Sequence, residues 1–521
     1  MKLQAITIVL AMLAVAGIDA RTAAAQESIL YSFTGFFNST GGTTPTAGIT
    51  LDAQGNLYGT TENGTNGEGP GGGTAWELSQ VSPGIWTEKV LHIFTGTSGD
   101  GVTPSQNGGL TFDAEGNLYG TTSAGGEYGQ GTVFELTPGT GGAWTEKVLF
   151  SFDSSGIGGV TPNGGVIVDA SGNLYGTAST GGAAGGGTVF ELSPSSGGWT
   201  IKELHSFPLS GDDGNPNYPL TLDASGNLYG STAKSSTYDC ECEYGQGIIF
   251  ELTPAADGSW TENVLHTFPN MNSATDGSFP AGKLTLDAQG NVYGTTALGE
   301  SPGVGMVFEL SPTSGGSWTE KVLSVLSAGI EPMGGVILDV EGNLYGTTYF
   351  GGQTGGGVGG TVFKLTHEAD DSWEQTLLHT FYPGADYLDG QGPGGELVYD
   401  SQGNLYGTTT IGGGSYRLDY PSGFGEGTVF KLAFSATTVA TPVISPASGS
   451  YGEAQMVAIT DATPGVTIYY TTDGYEPNPS YVNTVKYIEP FPVSATGLVK
   501  AVAFNSVSAQ SATTTAAFTI P

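Results

Sequence analysis

Cysteine, histidine and positive charge are the scarce resources of this chain. Among 521 residues there are 2 Cys, 5 His and 13 Lys+Arg, against 49 Asp+Glu, for a net charge of −36. Such a charge repels phosphate backbones and anionic bilayers, so nucleic acid and membrane surfaces are excluded as partners. Two cysteines separated by one residue, Cys240 and Cys242, cannot staple a fold, and their mutual bridge would be strained. No stretch beyond the first residues is apolar for long enough to span a bilayer. His92, His205, His266 and His379 occupy one recurring slot in which Tyr31, Phe150 and Ser324 stand elsewhere. A slot that accepts four residue types reads as structural, and Ser-His-Asp or His-metal chemistry finds little support there.

What the chain has in abundance is glycine, with 88 residues, together with a repeat. Gly-Asn-Leu/Val-Tyr-Gly recurs from Gly55, Gly116, Gly172, Gly226, Gly290, Gly342 and Gly403, at intervals of 52–64 residues. Each copy sits in a unit of four short β-type runs: A (Gly-Leu-Thr-Phe-Asp-Ala), B (Asn-Leu-Tyr-Gly-Thr-Thr), C (Thr-Val-Phe-Glu-Leu) and D (Trp-Thr-Glu-Lys-Val-Leu-Phe-Ser-Phe). This predicts an all-β chain whose units are the blades of a β-propeller. The repeat region opens with a D-type run, residues 27–33, and closes on A, B and C runs without a D. Joining the two ends predicts a seven-bladed ring closed by the N-terminal strand, with no free sheet edge. The Asp-x-x-Gly-Asn segments read as Asx-turn hairpins, not calcium loops. The tryptophans that open the D runs read as sheet-packing residues.

The predicted domains are a signal peptide over 1–25, the propeller over 27–434, a linker over 435–441 and a small immunoglobulin-like β-sandwich over 442–521. The leader places the protein outside the cell; cleavage fits after either Ala20 or Ala25. Length varies mainly in the B–C and D–A loops, which share one end of the sheets, and binding concentrates in such loops. They are rich in rings that could stack on sugars and in carboxylates that could accept sugar hydroxyls or bind Ca²⁺. The candidates are Tyr238, Tyr244, Tyr349, Tyr387, Tyr416 and Tyr420, with Asp276, Asp386 and Asp389; Tyr128 and Tyr218 belong to the same loop set. No catalytic residue and no cofactor stands out.

Two resemblances add to this reading. TPGVTIYYTTDGYEP, followed by KAVAF, resembles the chitobiase/β-hexosaminidase C-terminal domain, with Tyr475 where a small hydroxyl residue is usual. That resemblance implies a non-catalytic accessory module and a link to carbohydrate. The units are similar to the GloVer tandem repeat, which implies an exported bacterial protein of unassigned activity, often followed by a surface anchor; the C-terminus here shows no such tail. The expected function is that of a secreted, monomeric, non-enzymatic protein binding an extracellular glycan. The alternatives are a propeller hydrolase or lyase using loop carboxylates, and an adhesive protein binding another surface protein.

Overall fold

The computed structural model describes residues 25–33, 41–64, 72–82, 84–154, 156–209, 214–233, 247–268, 276–299, 304–326, 329–352, 359–368, 370–381, 389–413, 426–434, 439–463, 466–475, 477, 484–504 and 511–521. Among these residues the chain is all-β, with a single 3₁₀ turn at Thr140–Gly142 and no α-helix. Each repeat unit forms an antiparallel sheet of four strands in sequence order, to which unit two adds a fifth, Gly101–Pro104. Unit three, for example, runs Val166–Val168, Leu174–Ala178, Gly185–Ser195 and Gly198–Pro208. In the last unit the fourth strand is Ala25–Ser32, which pairs with Thr428–Phe434. Glu27 sits opposite Leu432 there, as Glu146 sits opposite Leu136 within unit two.

The Gly-Asn-Leu-Tyr-Gly segment is intelligible residue by residue. In unit two Asp113 ends the first strand, and its Oδ1 accepts from the backbone N–H groups of Glu115 and Asn117. Its Oδ2 accepts from Asn117 Nδ2 and from the Tyr119 hydroxyl, at 2.8 and 3.0 Å. Burial works against the carboxylate's charge, but these donors hold Asp113 below its ordinary pKa. The first glycine takes φ of +89° at Gly116 to close the hairpin. The second, Gly120, makes room for a ring: a Cβ there would lie 2.6 Å from Phe134 Cζ. The Asx-turn reading of the repeated aspartates is thus what the structure contains.

Apolar side chains of each sheet meet those of the next. Phe94 and Tyr58 of unit one join Leu118, Phe134 and Leu136 of unit two, and the same arrangement links each later pair. A further cluster joins Tyr406 and Val429 of the last unit with Phe33 and with Leu57 and Trp76 of the first. The D-run tryptophans lie edge-on against tyrosines of the preceding unit, as Trp144 does against Tyr58 at 6.1 Å, which is the sheet-packing role expected of them.

A second inter-unit device was not anticipated. The residue before a recurring proline carries positive φ in every unit: Thr44, Thr103, Thr161, Asn215, Phe279, Glu331 and Gly392. This conformation is costly for a side-chain-bearing residue, roughly 1–3 kcal/mol each, and pre-proline positions ordinarily favour extended backbone. What offsets it is docking onto the preceding unit. Thr161 N donates to Gln130 O at 3.0 Å, and Pro162 then rests on Gly131, where a Cβ would sit 2.6 Å from Pro162 Cδ. The same latch joins last unit to first: Thr44 N donates to Glu426 O at 2.9 Å, and Pro45 rests on Gly427.

After residue 439 the chain builds two further sheets. One holds Val443–Ser445, Gln455–Thr460 and Phe491–Val493, and the other is five-stranded around Gly497–Phe504. They share a core of Ile444, Val457, Ile459, Val499, Ala516 and Phe518.

Candidate functional site

Hairpin order fixes which loops share an end of the sheets. First-to-second and third-to-fourth turns lie at one end; second-to-third loops and the connections between units lie at the other. The near-identical Asp turns therefore form one surface and the variable loops the opposite rim. Of the candidate residues, Tyr238, Tyr244, Tyr387, Tyr416, Tyr420 and Asp386 lie outside the described residues, as do Cys240 and Cys242.

Tyr349, Asp276 and Asp389 are described, and the structure gives all three packing partners. Tyr349 packs edge-on against Phe350, with centroids 4.8 Å apart, and its ring covers Gly392 and Gly394 of the next unit. Asp276 Oδ1 lies 2.9 Å from His266 Nε2, and Asp389 Oδ2 lies 3.3 Å from His379 Nε2. Asp100 and His92 repeat the arrangement at 3.2 Å. The rim carboxylates thus face the histidines of their own units. The slot reading of those histidines saw one half of an arrangement whose other half lies on the following loop.

One loop expectation needs correction. Tyr218 is buried just before the first strand of unit four, where its carbonyl accepts from Thr177 of unit three, and burial pushes its hydroxyl up to about 12. His367 is paired as well as exposed: its Nε2 lies 2.9 Å from Asp371 Oδ1, and its ring stacks on Trp373 at 4.6 Å. Tyr128, by contrast, is the exposed rim aromatic that the loop reading called for, at 53%. It borders an open depression with Gly99, Gly126, Glu127 and Phe150.

Residues in or just before the first strands of all seven units line one cavity of about 380 Å³. Its walls combine glycines, among them Gly108, Gly164, Gly282 and Gly334, with apolar side chains such as Ile49, Ile167 and Ile337. The charged groups on its wall are Lys283 and Glu396, whose Nζ and Oε1 are 3.6 Å apart. The inward-facing threonines are spent on neighbours: Thr111 Oγ1 donates to Val166 O at 2.7 Å, and Thr50, Thr221 and Thr285 donate likewise to the next unit. Such a cavity offers carbonyl and amide groups and one ion pair, and no nucleophile–base pair.

At the opposite surface, the Asp turn of unit six differs from the other six. Asp339 and Asn343 are buried there. Glu341 is pushed up to about 7 by burial first, then by Asp339, with Lys364 and Lys486 opposing. Lys486 belongs to the C-terminal sheets, as does Tyr469, whose hydroxyl is raised by burial and then by Glu341 and Asp339. The C-terminal module therefore lies against the Asp-turn surface at unit six, away from the variable rim.

Comparison with known proteins agrees with the repeat reading. The model of the Gloeobacter/Verrucomicrobia repeat matches residues 19–241 and 237–478. The model of the chitobiase/β-hexosaminidase C-terminal domain matches residues 446–515. No curated protein matches the chain. Among solved structures, a fungal alcohol oxidase of the AA5 family in complex with copper is 13% identical, at a TM-score of 0.49, over 95% of this chain and all of that one. An ulvan lyase of polysaccharide lyase family PL25 is 12% identical, at 0.47, over 76% of this chain and 95% of that one. An ancestral GH74 enzyme is 12% identical, at 0.48, over 76% of this chain and 48% of that one.

Proposed function

The chain belongs to the Gloeobacter/Verrucomicrobia repeat family, and we propose that its repeats form a seven-bladed β-propeller that binds an extracellular polysaccharide at the loop rim without cleaving it. Supporting the closed propeller, the N-terminal strand completes the last sheet, and the last-to-first contact repeats both the apolar cluster and the Gly427–Pro45 latch of the internal junctions. In this reading residues 1–25 are a cleaved export signal, 435–441 a linker and 442–521 an accessory sandwich.

The observation that carries the binding assignment is the asymmetry of the two ends. One surface carries the seven hydrogen-bonded Asp turns and the short third-to-fourth turns, and is partly covered by the C-terminal module. The other bears nearly all the variation in loop length, and it keeps Tyr128 exposed. Exposed rings beside amide- and carboxylate-bearing loops are the chemistry that stacks on sugar faces and meets their hydroxyls. A hydrolase or lyase would need rim carboxylates set against substrate. Here Asp100, Asp276 and Asp389 are turned toward histidines, which favours binding over turnover.

The test is a polysaccharide pull-down and glycan array with the mature chain, with and without Ca²⁺, assaying the same mixtures for released reducing ends. Retention without release is the expected result. New reducing ends would replace this reading with the enzymatic one, and silence on every glycan would leave the adhesive, protein-binding alternative.

A further inference from the structure

The histidine slot has a partner that repeats with it. Each slot residue faces the third residue of the fourth strand in the next unit. His92 meets Glu146, His205 meets Glu262, His266 meets Glu320, and His379 meets Glu27 across the terminal junction. Where histidine is missing the opposite residue changes too: the equivalent pairs are Phe150 with Ile201 and Ser324 with Gln375. Tyr31 keeps a glutamate, Glu88, because its hydroxyl can donate to Oε2 at 2.8 Å. All four histidine units carry an aspartate eight or ten residues on, Asp100, Asp213, Asp276 and Asp389; Asp213 lies outside the described residues, and the other three stand beside their histidines. Imidazole, following aspartate and neighbouring glutamate thus occur together, from three separate segments of chain.

In each trio the nitrogen and two carboxylate oxygens all lie within 4.8 Å of one another. Every imidazole is aimed by the buried phenylalanine two residues on, edge-on at 4.8, 4.6 and 4.6 Å for His92, His266 and His379. The arrangement is electrostatically incomplete. Two carboxylates share one imidazole whose Nε2 is within bonding distance of the aspartate, and Oε1 of Glu27, Glu146 and Glu320 is buried without a hydrogen-bond partner. An added positive charge would resolve the conflict.

We propose that Glu27–His379–Asp389, His92–Asp100–Glu146 and His266–Asp276–Glu320 are three divalent-cation sites, each bridging two consecutive units. One imidazole nitrogen with two carboxylate oxygens is a donor set for a first-row transition ion such as Zn²⁺ or Mn²⁺, because calcium prefers oxygen alone. Donors around such an ion stand roughly 3–4 Å apart, from metal–ligand bonds of about 2.0–2.2 Å, and the His–Asp separations of 2.9–3.3 Å match an adjacent pair. The bound ions would fasten unit one to two, unit four to five, and the N-terminal strand to unit six. Because they bind only the folded arrangement, they would raise the melting temperature.

The full mature chain is stripped with chelator, incubated separately with ZnCl₂, MnCl₂ and CaCl₂, and desalted; bound metal is then quantified and thermal unfolding recorded. About three transition ions per chain and a higher melting temperature are expected, with no retention of Ca²⁺. H92Q, H266Q and H379Q should each remove one ion, and D100N, D276N and D389N should do the same, while the metal-free melt stays cooperative. H367Q, on an exposed pair, should keep all three. Absence of stoichiometric Zn²⁺ or Mn²⁺, retention of three ions by the triple histidine variant, or preference for Ca²⁺ would each overturn the assignment.

Discussion

Substituting Gly427 by alanine tests whether the chain ends meet in solution as they do in the structure. Gly427 holds φ of +102°, and a Cβ there would stand 2.4 Å from Pro45 Cδ and 2.5 Å from Thr409 O. Two costs follow. The left-handed backbone costs an alanine about 1–2 kcal/mol, and forcing a methyl into a filled contact adds typically 1–3 kcal/mol, giving roughly 2–5 kcal/mol together. Gly131→Ala is the internal equivalent, with φ of +102° and 2.6 Å to Pro162 Cδ, and should cost the same. Gly116→Ala is the control: φ is +89° but nothing lies within 4 Å of its Cβ, so only the first cost applies. Urea unfolding of the three variants, followed by tryptophan fluorescence, ranks them. Matching losses for Gly427→Ala and Gly131→Ala, both exceeding Gly116→Ala, place the terminal junction among the internal ones. If Gly427→Ala instead behaved like Gly116→Ala while Gly131→Ala was severe, the junction would be open in solution and the closed-propeller reasoning refuted.

Three further outcomes follow from other features. Thr122→Val should cost about 1–3 kcal/mol, since it strands the buried Thr132 hydroxyl that it now meets at 2.8 Å; loss of chemical-denaturation midpoint checks it. Asp113 and Asp169 are held below the ordinary range despite burial, by their asparagine and backbone donors. Their contribution is present above the unfolded aspartate value, near 3.9, and fades as pH falls through the folded one, so D113N/D169N should flatten the acid limb of a stability–pH profile. Glu341 has the opposite sign. Its pKa rises to about 7 by burial and then by Asp339, so raising pH from about 4.5 toward 7 costs stability, and Glu341→Gln should remove that slope in melts taken between pH 5 and 8.

Most of the architecture was legible because glycine, aspartate and asparagine have few ways to be useful. Asp-x-x-Gly-Asn implies a tight hairpin, and seven copies imply seven sheets; residues 27–33, matching the strand every other unit carries last, announced the exchange with Thr428–Phe434. The proline latch was hidden, because a threonine before proline reads as extended backbone, and only the neighbouring unit's Gly131 or Gly427 gives it reason to be otherwise. The histidines were seen one column at a time. Compared within their own slot, His, Tyr, Phe and Ser look interchangeable. Read against the facing column of Glu, Glu, Ile and Gln, they divide into polar and apolar pairs. The rim's aromatic candidates are not legible in the same way, because loops that differ in every unit offer no column to compare.

The position of the C-terminal module follows from a defect in the repeat. At each of the other junctions the incoming fourth strand begins with tryptophan, which packs toward the tyrosine of the preceding unit, as Trp144 and Trp373 do toward Tyr58 and Tyr293. The strand exchanged from the N-terminus begins with Ala25 instead, so Tyr345 of unit six loses that ring. Tyr399, in the first-strand position that Phe112 holds in unit two, packs edge-on against Tyr345 at 5.6 Å, Lys364 lies 5.6 Å from the Tyr345 ring centre, and Tyr469 and Lys486 of the C-terminal sheets approach Glu341. Tyr345 ends as the most buried of the repeat tyrosines, at 1% exposure. The irregularity created by strand exchange is thus the surface the accessory module covers. That choice leaves the variable rim, the end on which a ligand would be read, free of the molecule's own second domain.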